Sequence, residues 1–357
     1  MPSTETALYM LKNAAITGWG SYCPARVLDN LALEKLVHTS DEWIRSRTGI
    51  VERRIASPDE TTGSMCLAAA KQALDRAGLQ AADLDLVICG TTTPDYILPC
   101  TACLLQRQLG AERAGAFDIN SACTGFLTAL VTAAQFIQCG TYERILVTSG
   151  EVLSRVTDWQ DRNTCVLFGD GAAAVVLEAT FQDAGVMSTV LGSRGDVEHF
   201  LAIEAGGSAR PASAETVATA QHCIHMRGNE VFKFAVRAMV QASREAMRKA
   251  RLTPDDFDWV IPHQANGRII DATQEALGVP PEKIFINIDR FGNTGAGSVS
   301  IALTEMLSTH PVNVGDNLLL VSFGGGLSWG AAVVRWADIA AIKRERNLAP
   351  AQPAIVG

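Results

Sequence analysis

Cys123 has the surroundings best suited to chemistry. It follows the apolar run Ala116-Phe-Asp-Ile119 and opens a helical pattern, and its neighbours Ser121, Ala122, Thr124 and Gly125 are small enough to leave a substrate room at the sulfur. At a helix N-terminus the free N–H groups and the helix dipole favour a thiolate, the nucleophilic form of cysteine. A buried, inert thiol is the competing reading. It suits the other eight cysteines better, since none of them stands at a strand-to-helix turn with such flanks. His263 ends the run Asp258-Trp-Val-Ile-Pro262, at the rim where α/β proteins gather ligands, and is followed by Gln264-Ala-Asn266. Asn293 lies in Phe291-Gly-Asn-Thr-Gly-Ala-Gly297, whose glycines let backbone approach a ligand closely; a turn residue is the alternative reading for it.

Other constellations are weaker. Cys100 and Cys103 form a C-x-x-C with no second Cys or His pair at zinc-finger spacing, so a helix face is expected there. His222-Cys-Ile-His225 lacks a supporting carboxylate, and no metal site is expected. Gly18-Trp-Gly20 lacks the third glycine of a dinucleotide fingerprint, and Phe323-Gly-Gly-Gly326 offers unhindered backbone N–H groups without a phosphate-loop lysine. Thr39-Ser-Asp-Glu42 reads as a capping box, followed by Trp43 and the cluster Arg45, Arg47, Arg53 and Arg54. That edge is either a solvated face or a place to stack a nucleotide and bind its phosphates.

The elements that must position these residues come from an internal duplication. Ala73-Leu-Asp-Arg-Ala-Gly-Leu79, with Asp83-Leu-Asp-Leu-Val-Ile88, recurs 173 residues later as Ala246-Met-Arg-Lys-Ala-Arg-Leu252 with Asp256-Phe-Asp-Trp-Val-Ile261. Asn120, three residues before Cys123, stands opposite Asn293 at the same offset, so both halves aim the same loop at one centre. Further on the offset shortens to 155, where Phe168-Gly-Asp-Gly171 resembles Phe323-Gly-Gly-Gly326. The first half predicts a helix over 64–77, strands over 84–89, 116–119 and 145–148, and a helix from near 123. Short, continuously apolar strands between helical periods imply sheets covered on both faces. Residues 1–180 form the half with the nucleophile, 181–336 the half with His263 and Asn293, and 337–357 an extension with a short helix and a disordered tail.

Composition bounds the rest. The 357 residues are 48% apolar and 19% charged, which excludes wholesale disorder. A net charge of −8 gives no general attraction for nucleic acid or anionic lipid, so an anionic partner needs a local basic patch. The 24 residues from Ile119 to Tyr142 carry no formal charge, yet Asn120, Thr128, Thr132 and Gln135 mark them as a buried helix and not a membrane span. No signal peptide is read at the N-terminus, and nine scattered cysteines suit reduced thiols, so a cytoplasmic protein is expected.

Taken together, Thr39-Ser-Asp-Glu-Trp-Ile44, Arg47-Thr-Gly-Ile50, Ala122-Cys-Thr-Gly-Phe126, Phe168-Gly-Asp-Gly-Ala172, Gly228-Asn-Glu-Val-Phe-Lys233, Pro262-His-Gln-Ala-Asn266, Gly292-Asn-Thr294 and Phe323-Gly-Gly-Gly326 resemble β-ketoacyl-acyl-carrier-protein synthase III, from about residue 13 to 336. The resemblance implies an α/β thiolase fold, an internally duplicated five-layer α/β/α/β/α sandwich with mixed sheets, in a homodimer. It implies an acyltransferase that condenses an acyl-CoA primer with malonyl-acyl-carrier protein to initiate type II fatty-acid synthesis, with no metal or other cofactor. A secondary-metabolism ketosynthase that starts a polyketide or transfers an acyl group is the alternative.

By the same resemblance, Cys123, His263 and Asn293 are the catalytic residues, with the backbone N–H groups of Cys123 and Gly325 as the oxyanion hole. Trp43, Arg47, Arg162, Gly228, Asn229, Phe232 and Asn266 would bind CoA and its pantetheine, while Leu98, from the other subunit, and Phe323 would border the acyl pocket. Lys233, Gln264, Ala265, Asn266, Gly267 and Arg268 would meet the carrier protein, Lys233 and Arg268 supplying the local positive charge. Asn-Thr-Gly-Ala-Gly297 and Gly267 stand where relatives often carry other small or apolar residues, which would widen or loosen the tunnel. HMG-CoA synthase, a relative in fold, would need an acid–base glutamate, and none lies near the cysteine motif.

Overall fold

The computed structural model describes residues 12–348, and in it the chain builds two mixed sheets. The first has the spatial order Asn13–Tyr22, Asp170–Thr180, Arg144–Val152, Leu86–Gly90, Gly115–Ile119. Its first two pairings are antiparallel and its last two parallel. The second runs Gly185–Ser193, Ser328–Arg335, Asn317–Gly324, Trp259–Pro262, again antiparallel twice and then parallel. The two sheets therefore repeat one pattern, and Leu86 and Trp259 begin equivalent strands at the offset of 173. A fifth strand is missing from the second sheet. Its place is taken by a single bridge between Val260 and Ile284, close behind the turn Pro281–Lys283.

Burial on both faces explains why these strands lack alternation. Every residue of Leu86–Gly90 is buried. On the outer face of the first sheet lie the helices Thr62–Ala77 and Thr101–Leu109, whose Met65, Ala69, Ala73 and Leu105 pack with Val87 and Val176. The helices Gly228–Ala250 and Gly267–Leu277 cover the second sheet in the same way, through Met239, Ala242, Ile269, Leu319 and Val333. Between the sheets lie Gly125–Gln138 and Gly297–Thr309, where Phe126, Leu130, Val299 and Leu303 join Ile88 of one sheet to Leu320 of the other. This is the five-layer sandwich expected. The uncharged stretch is its central layer, and among the described residues no helix is long and apolar enough to cross a membrane.

Two local readings change. Helix Asp41–Thr48 is capped by Ser40, whose hydroxyl accepts from the Trp43 N–H, so the cap sits one residue after Thr39. The resemblance of Phe168-Gly-Asp-Gly171 to Phe323-Gly-Gly-Gly326 is not one of equivalent places in the fold. Phe323 lies within the strand Asn317–Gly324, whereas Phe168 precedes the strand Asp170–Thr180. The extra residues of the first half form the segment 153–169, where the second half has only the turn 325–327.

The C-terminal extension begins with a packed helix, Ile339–Leu348. Arg346 holds both oxygens of Glu178 at 2.9 Å and donates to the carbonyls of Ala77 and Gly78. The tail after residue 348, and the first residues read for a leader, lie outside the described residues.

Candidate active site

Cys123, His263 and Asn293 line one cavity of about 1670 Å³ between the halves, and Asn120 lines it too. Strand Gly115–Ile119 delivers the chain to a tight turn, Ala122–Thr124, and the helix proper starts at Gly125. Ala122 has φ of 47°, a strained conformation for a residue with a Cβ, which holds Cys123 out of the helix and into the cavity. The helix starts hard against strand Leu86–Gly90, which requires glycine at position 90: a Cβ there would lie 2.6 Å from the Gly125 carbonyl carbon. The second half pins the turn. Ser322 Oγ donates to the Cys123 carbonyl at 2.9 Å, and Thr124 and Ser328 join their hydroxyls at 3.0 Å.

His263 is the first residue beyond strand Trp259–Pro262, and its backbone N–H donates to the Val321 carbonyl at 2.8 Å. Its ring stands edge-on to Phe323 with centroids 5.3 Å apart. Both ring nitrogens are buried without a partner in the protein. Burial lowers its pKa to about 3, so the imidazole is neutral and has one N–H to give. Asn293 is held at every other polar atom: its N–H donates to Leu167, its carbonyl accepts from Gly169, and its Oδ1 accepts from the Gly295 N–H at 2.9 Å. That leaves Nδ2 as the donor for a ligand.

The thiol does not match the sequence expectation. Burial, followed by the nearby Glu151 carboxylate, pushes Cys123 up to about 12, and only its own backbone N–H opposes them. The empty site therefore holds a neutral thiol, because desolvation outweighs the helix start. Alkylation of substrate-free Cys123 by iodoacetamide should then accelerate about tenfold per pH unit between pH 7 and 10, following the thiolate fraction. A rate already level at neutral pH would contradict this.

Glu151 was not legible from the sequence as a site residue, and it corrects the expectation that no glutamate lies near the nucleophile. It lines the cavity fully buried, at the end of strand Arg144–Val152. Its oxygens accept from the Thr92 and Thr93 N–H groups at 2.9 Å and from the hydroxyls of Thr91, Thr92 and Thr93. Burial raises its pKa, and these bonds pull it back. With both oxygens engaged, Glu151 braces the Thr91–Thr93 turn and has little freedom for acid–base work. Glu151→Gln puts an NH2 where an acceptor is needed and should cost about 1–3 kcal/mol in urea unfolding. An unchanged midpoint would remove the brace.

Comparison with known proteins gives the family. Residues 117–195 match the family 3-oxoacyl-[acyl-carrier-protein] synthase III, and 247–336 match its C-terminal counterpart. The chain is 50% identical over 327 residues to β-ketoacyl-[acyl-carrier-protein] synthase III of Roseiflexus sp., covering 92% of this chain and 99% of the relative. The chain belongs to the β-ketoacyl-[acyl-carrier-protein] synthase III family. The synthase III of Symbiobacterium thermophilum is likewise 50% identical, over 91% of this chain and 99% of its own. The crystal structure of the Aquifex aeolicus enzyme superposes with a TM-score of 0.84 at 46% identity, covering 90% of this synthase and 100% of that chain. The priming β-ketosynthase of the R1128 polyketide pathway superposes at 0.86 with 36% identity, over 92% and 97%.

The remaining expected residues of the synthase divide. Trp43, Arg47, Gly228, Asn229, Phe232, Asn266 and Phe323 line the cavity, as do Gly325, Lys233, Ala265 and Arg268. Arg162 stands beside it, its guanidinium 5.0 Å from the Trp43 ring centroid. Of the basic cluster only Arg47 lines the cavity. Arg45 pairs with Asp41, Arg54 with Glu52, and Arg53 is fully buried on Leu28, Asn30 and Val166.

One expected contact is corrected. Gln264 is buried, its amide donating to Pro262 and Phe285 while its oxygen accepts from the N–H groups of Asn287 and Ile288, so it cannot meet a carrier protein. Leu98, expected at the pocket of the other subunit, is 86% exposed on this chain, and its neighbour Ile97 lines this chain's cavity. Gly267 opens helix Gly267–Leu277 with its Cα 3.7 Å from where a Gly49 Cβ would stand. Cys100 and Cys103 are a helix N-cap and helix residue as expected. His222 and His225 contact Thr216 and the Ala220 carbonyl, and among the described residues no group of three or more His, Cys, Asp or Glu could hold a metal.

Proposed function

We propose that Cys123 carries the acyl group while His263 and Asn293 act as donors to a developing enolate. The chain is an acyltransferase that initiates fatty-acid synthesis by a decarboxylating Claisen condensation with acyl-carrier protein as its partner. Initiation is favoured over a specialised-metabolite role by the 50% identity to synthase III relatives, against 36% to the priming β-ketosynthase.

In our reading the primer is an acyl-CoA. Its sulfur leaves as Cys123 Sγ attacks the carbonyl, and the thiol proton departs with CoA, giving an acyl thioester on Cys123. Malonyl-carrier protein then enters by the same tunnel. Loss of CO2 leaves an electron pair in an enolate whose oxygen accepts from one N–H of His263 and from Asn293 Nδ2. The enolate carbon attacks the acyl carbonyl. The oxyanion accepts from the Cys123 and Gly325 N–H groups, neither of which is taken by another backbone carbonyl. Collapse expels the Cys123 sulfur, which regains a proton. Because decarboxylation supplies the carbanion, the reaction requires no metal or redox group.

The observation that carries this reading is the pattern of unspent donors: two partnerless ring nitrogens on His263 and the free Nδ2 of Asn293, in one cavity with Cys123. The Trp43–Arg162 stack with Arg47 supports CoA, and exposed Lys233 and Arg268 support the carrier protein. The exposed apolar run Tyr96, Ile97 and Leu98 supports a homodimer, with Leu98 offered to the partner's acyl pocket. Nine free cysteines support a cytoplasmic setting. Intact-mass spectrometry after incubation with acyl-CoA is expected to find one acyl adduct, mapped by digestion to Cys123 and absent from Cys123→Ala. An adduct elsewhere, or none across an acyl-CoA panel, would overturn the reading.

A further inference from the structure

Two thiols away from the reaction stand in contact. Cys100 Sγ donates to Cys103 Sγ across 3.1 Å. They frame the first turn of helix Thr101–Leu109, Cys100 as the N-cap residue; Cys103 is exposed and Cys100 half-buried. We propose that Cys100 and Cys103 are a redox-active dithiol, closed into an intrachain disulfide by a hydroperoxide or a small-molecule disulfide and reopened by a small thiol.

The geometry is nearly made. Side chains three apart on a helical turn are neighbours. The sulfurs need to approach by only about 1 Å to reach the ~2.05 Å of a disulfide bond. Closing the bond also leaves the helix start intact. The Cys100 side chain makes no capping bond, and the Asp118 carboxylate accepts from the Thr101 and Ala102 N–H groups at 2.7 Å instead. Access separates this pair from the other two cysteines that interact with each other. Cys66 and Cys89 interact as well, yet both are completely buried. Cys123 is kept as a thiol by burial. Cys103 is also held up, to about 11, chiefly by its hydrogen bond with Cys100, and its own Sγ donates to the Ala116 carbonyl at 3.7 Å. The pair lies three residues beyond Ile97, on the segment bordering the substrate cavity.

With a hydroperoxide, one sulfur takes the terminal oxygen as a sulfenic acid and an alcohol or water leaves. The second thiol then displaces the hydroxyl, which departs as water with that thiol's proton. The two sulfurs together lose two electrons, and the O–O bond gains them. With a small-molecule disulfide, one protein thiol forms the mixed disulfide and the other expels the second small thiol.

The test oxidises the intact protein with hydrogen peroxide or oxidised glutathione, blocks free thiols with iodoacetamide and maps the peptides. The expected product is a peptide in which Cys100 and Cys103 together have lost two hydrogens, restored to two alkylated thiols by dithiothreitol, while Cys66 and Cys89 stay reduced. Cys100→Ser and Cys103→Ser should each abolish it while retaining condensing activity, which shows that they fold. Three outcomes would overturn the proposal: both cysteines remaining alkylatable, a disulfide-linked dimer on a non-reducing gel, or irreversible oxidation of Cys103 in place of a disulfide.

Discussion

His263→Ala and Asn293→Ala should each still accept an acyl group on Cys123, yet lose malonyl decarboxylation by roughly 100- to 1000-fold. The size comes from their placement. A donor aimed at a developing oxyanion is worth about 2.7–4 kcal/mol of barrier when it is fixed in place before the charge forms. Both ring nitrogens of His263 are buried and partnerless, and Asn293 keeps only Nδ2 for a ligand. Acylation uses the backbone N–H groups of Cys123 and Gly325, which neither substitution removes. His263→Ala has a second expected signature. A group held near pKa 3 stays neutral at any working pH, so decarboxylation by the parent enzyme should not fall between pH 8 and 5 through this residue. Burst acylation and release of labelled CO2 separate the two steps. Equal losses in both would show that His263 and Asn293 serve the nucleophile and not the enolate.

The fold was legible because the duplication leaves marks that survive divergence. Leu86–Gly90 and Trp259–Pro262 had to be equivalent once the preceding helices matched at one offset, and continuously apolar strands demanded cover on both faces. That Cys123, His263 and Asn293 meet in one cavity was legible because Cys123 and His263 each follow a strand and Asn293 stands opposite Asn120 in the duplication. What escaped is set by side-chain direction and desolvation. Glu151 sits among apolar strand residues, and only the pairing of Arg144–Val152 beside Leu86–Gly90 brings it to the threonines that hold it. Gln264 belongs to a motif that reads as binding, but its amide links two buried loops within the second half. A helix start suggested a thiolate at Cys123, yet the sequence does not display the desolvation that raises its pKa. Ile97 and Leu98 differ by one position, and which one faces the cavity depends on the turn of a loop with no periodicity.

Gly324→Ala should abolish acylation, a loss of at least 100-fold, and should do so more severely than Gly325→Ala next to it. Neither glycine has a left-handed backbone, so the difference is steric. A Cβ on Gly324 would lie 2.7 Å from the Cys123 nitrogen and 3.2 Å from both the Cys123 and Ala122 Cβ atoms. Neither side can yield cheaply. The nucleophile turn is held by the strained Ala122, by Ser322 Oγ on the Cys123 carbonyl and by the Thr124–Ser328 pair. Gly324 is the last residue of a strand paired to Ser328–Arg335. If the strand end retreats, it takes the Gly325 N–H away from the oxyanion. If the turn retreats, it takes the Cys123 N–H and the sulfur with it. Either movement removes a donor worth about 2.7–4 kcal/mol. A Cβ on Gly325 meets the Leu201 carbonyl at 3.1 Å, in the short strand Leu201–Ile203, and its own N–H stays in place. That variant should lose no more than about tenfold, within the range of an overpacked contact. Single-turnover acylation followed by mass spectrometry, with thermal melts of both variants as the folding control, measures the order. If Gly325→Ala proves the slower of two equally stable proteins, the contact between the strand end and the nucleophile turn does not set the oxyanion hole.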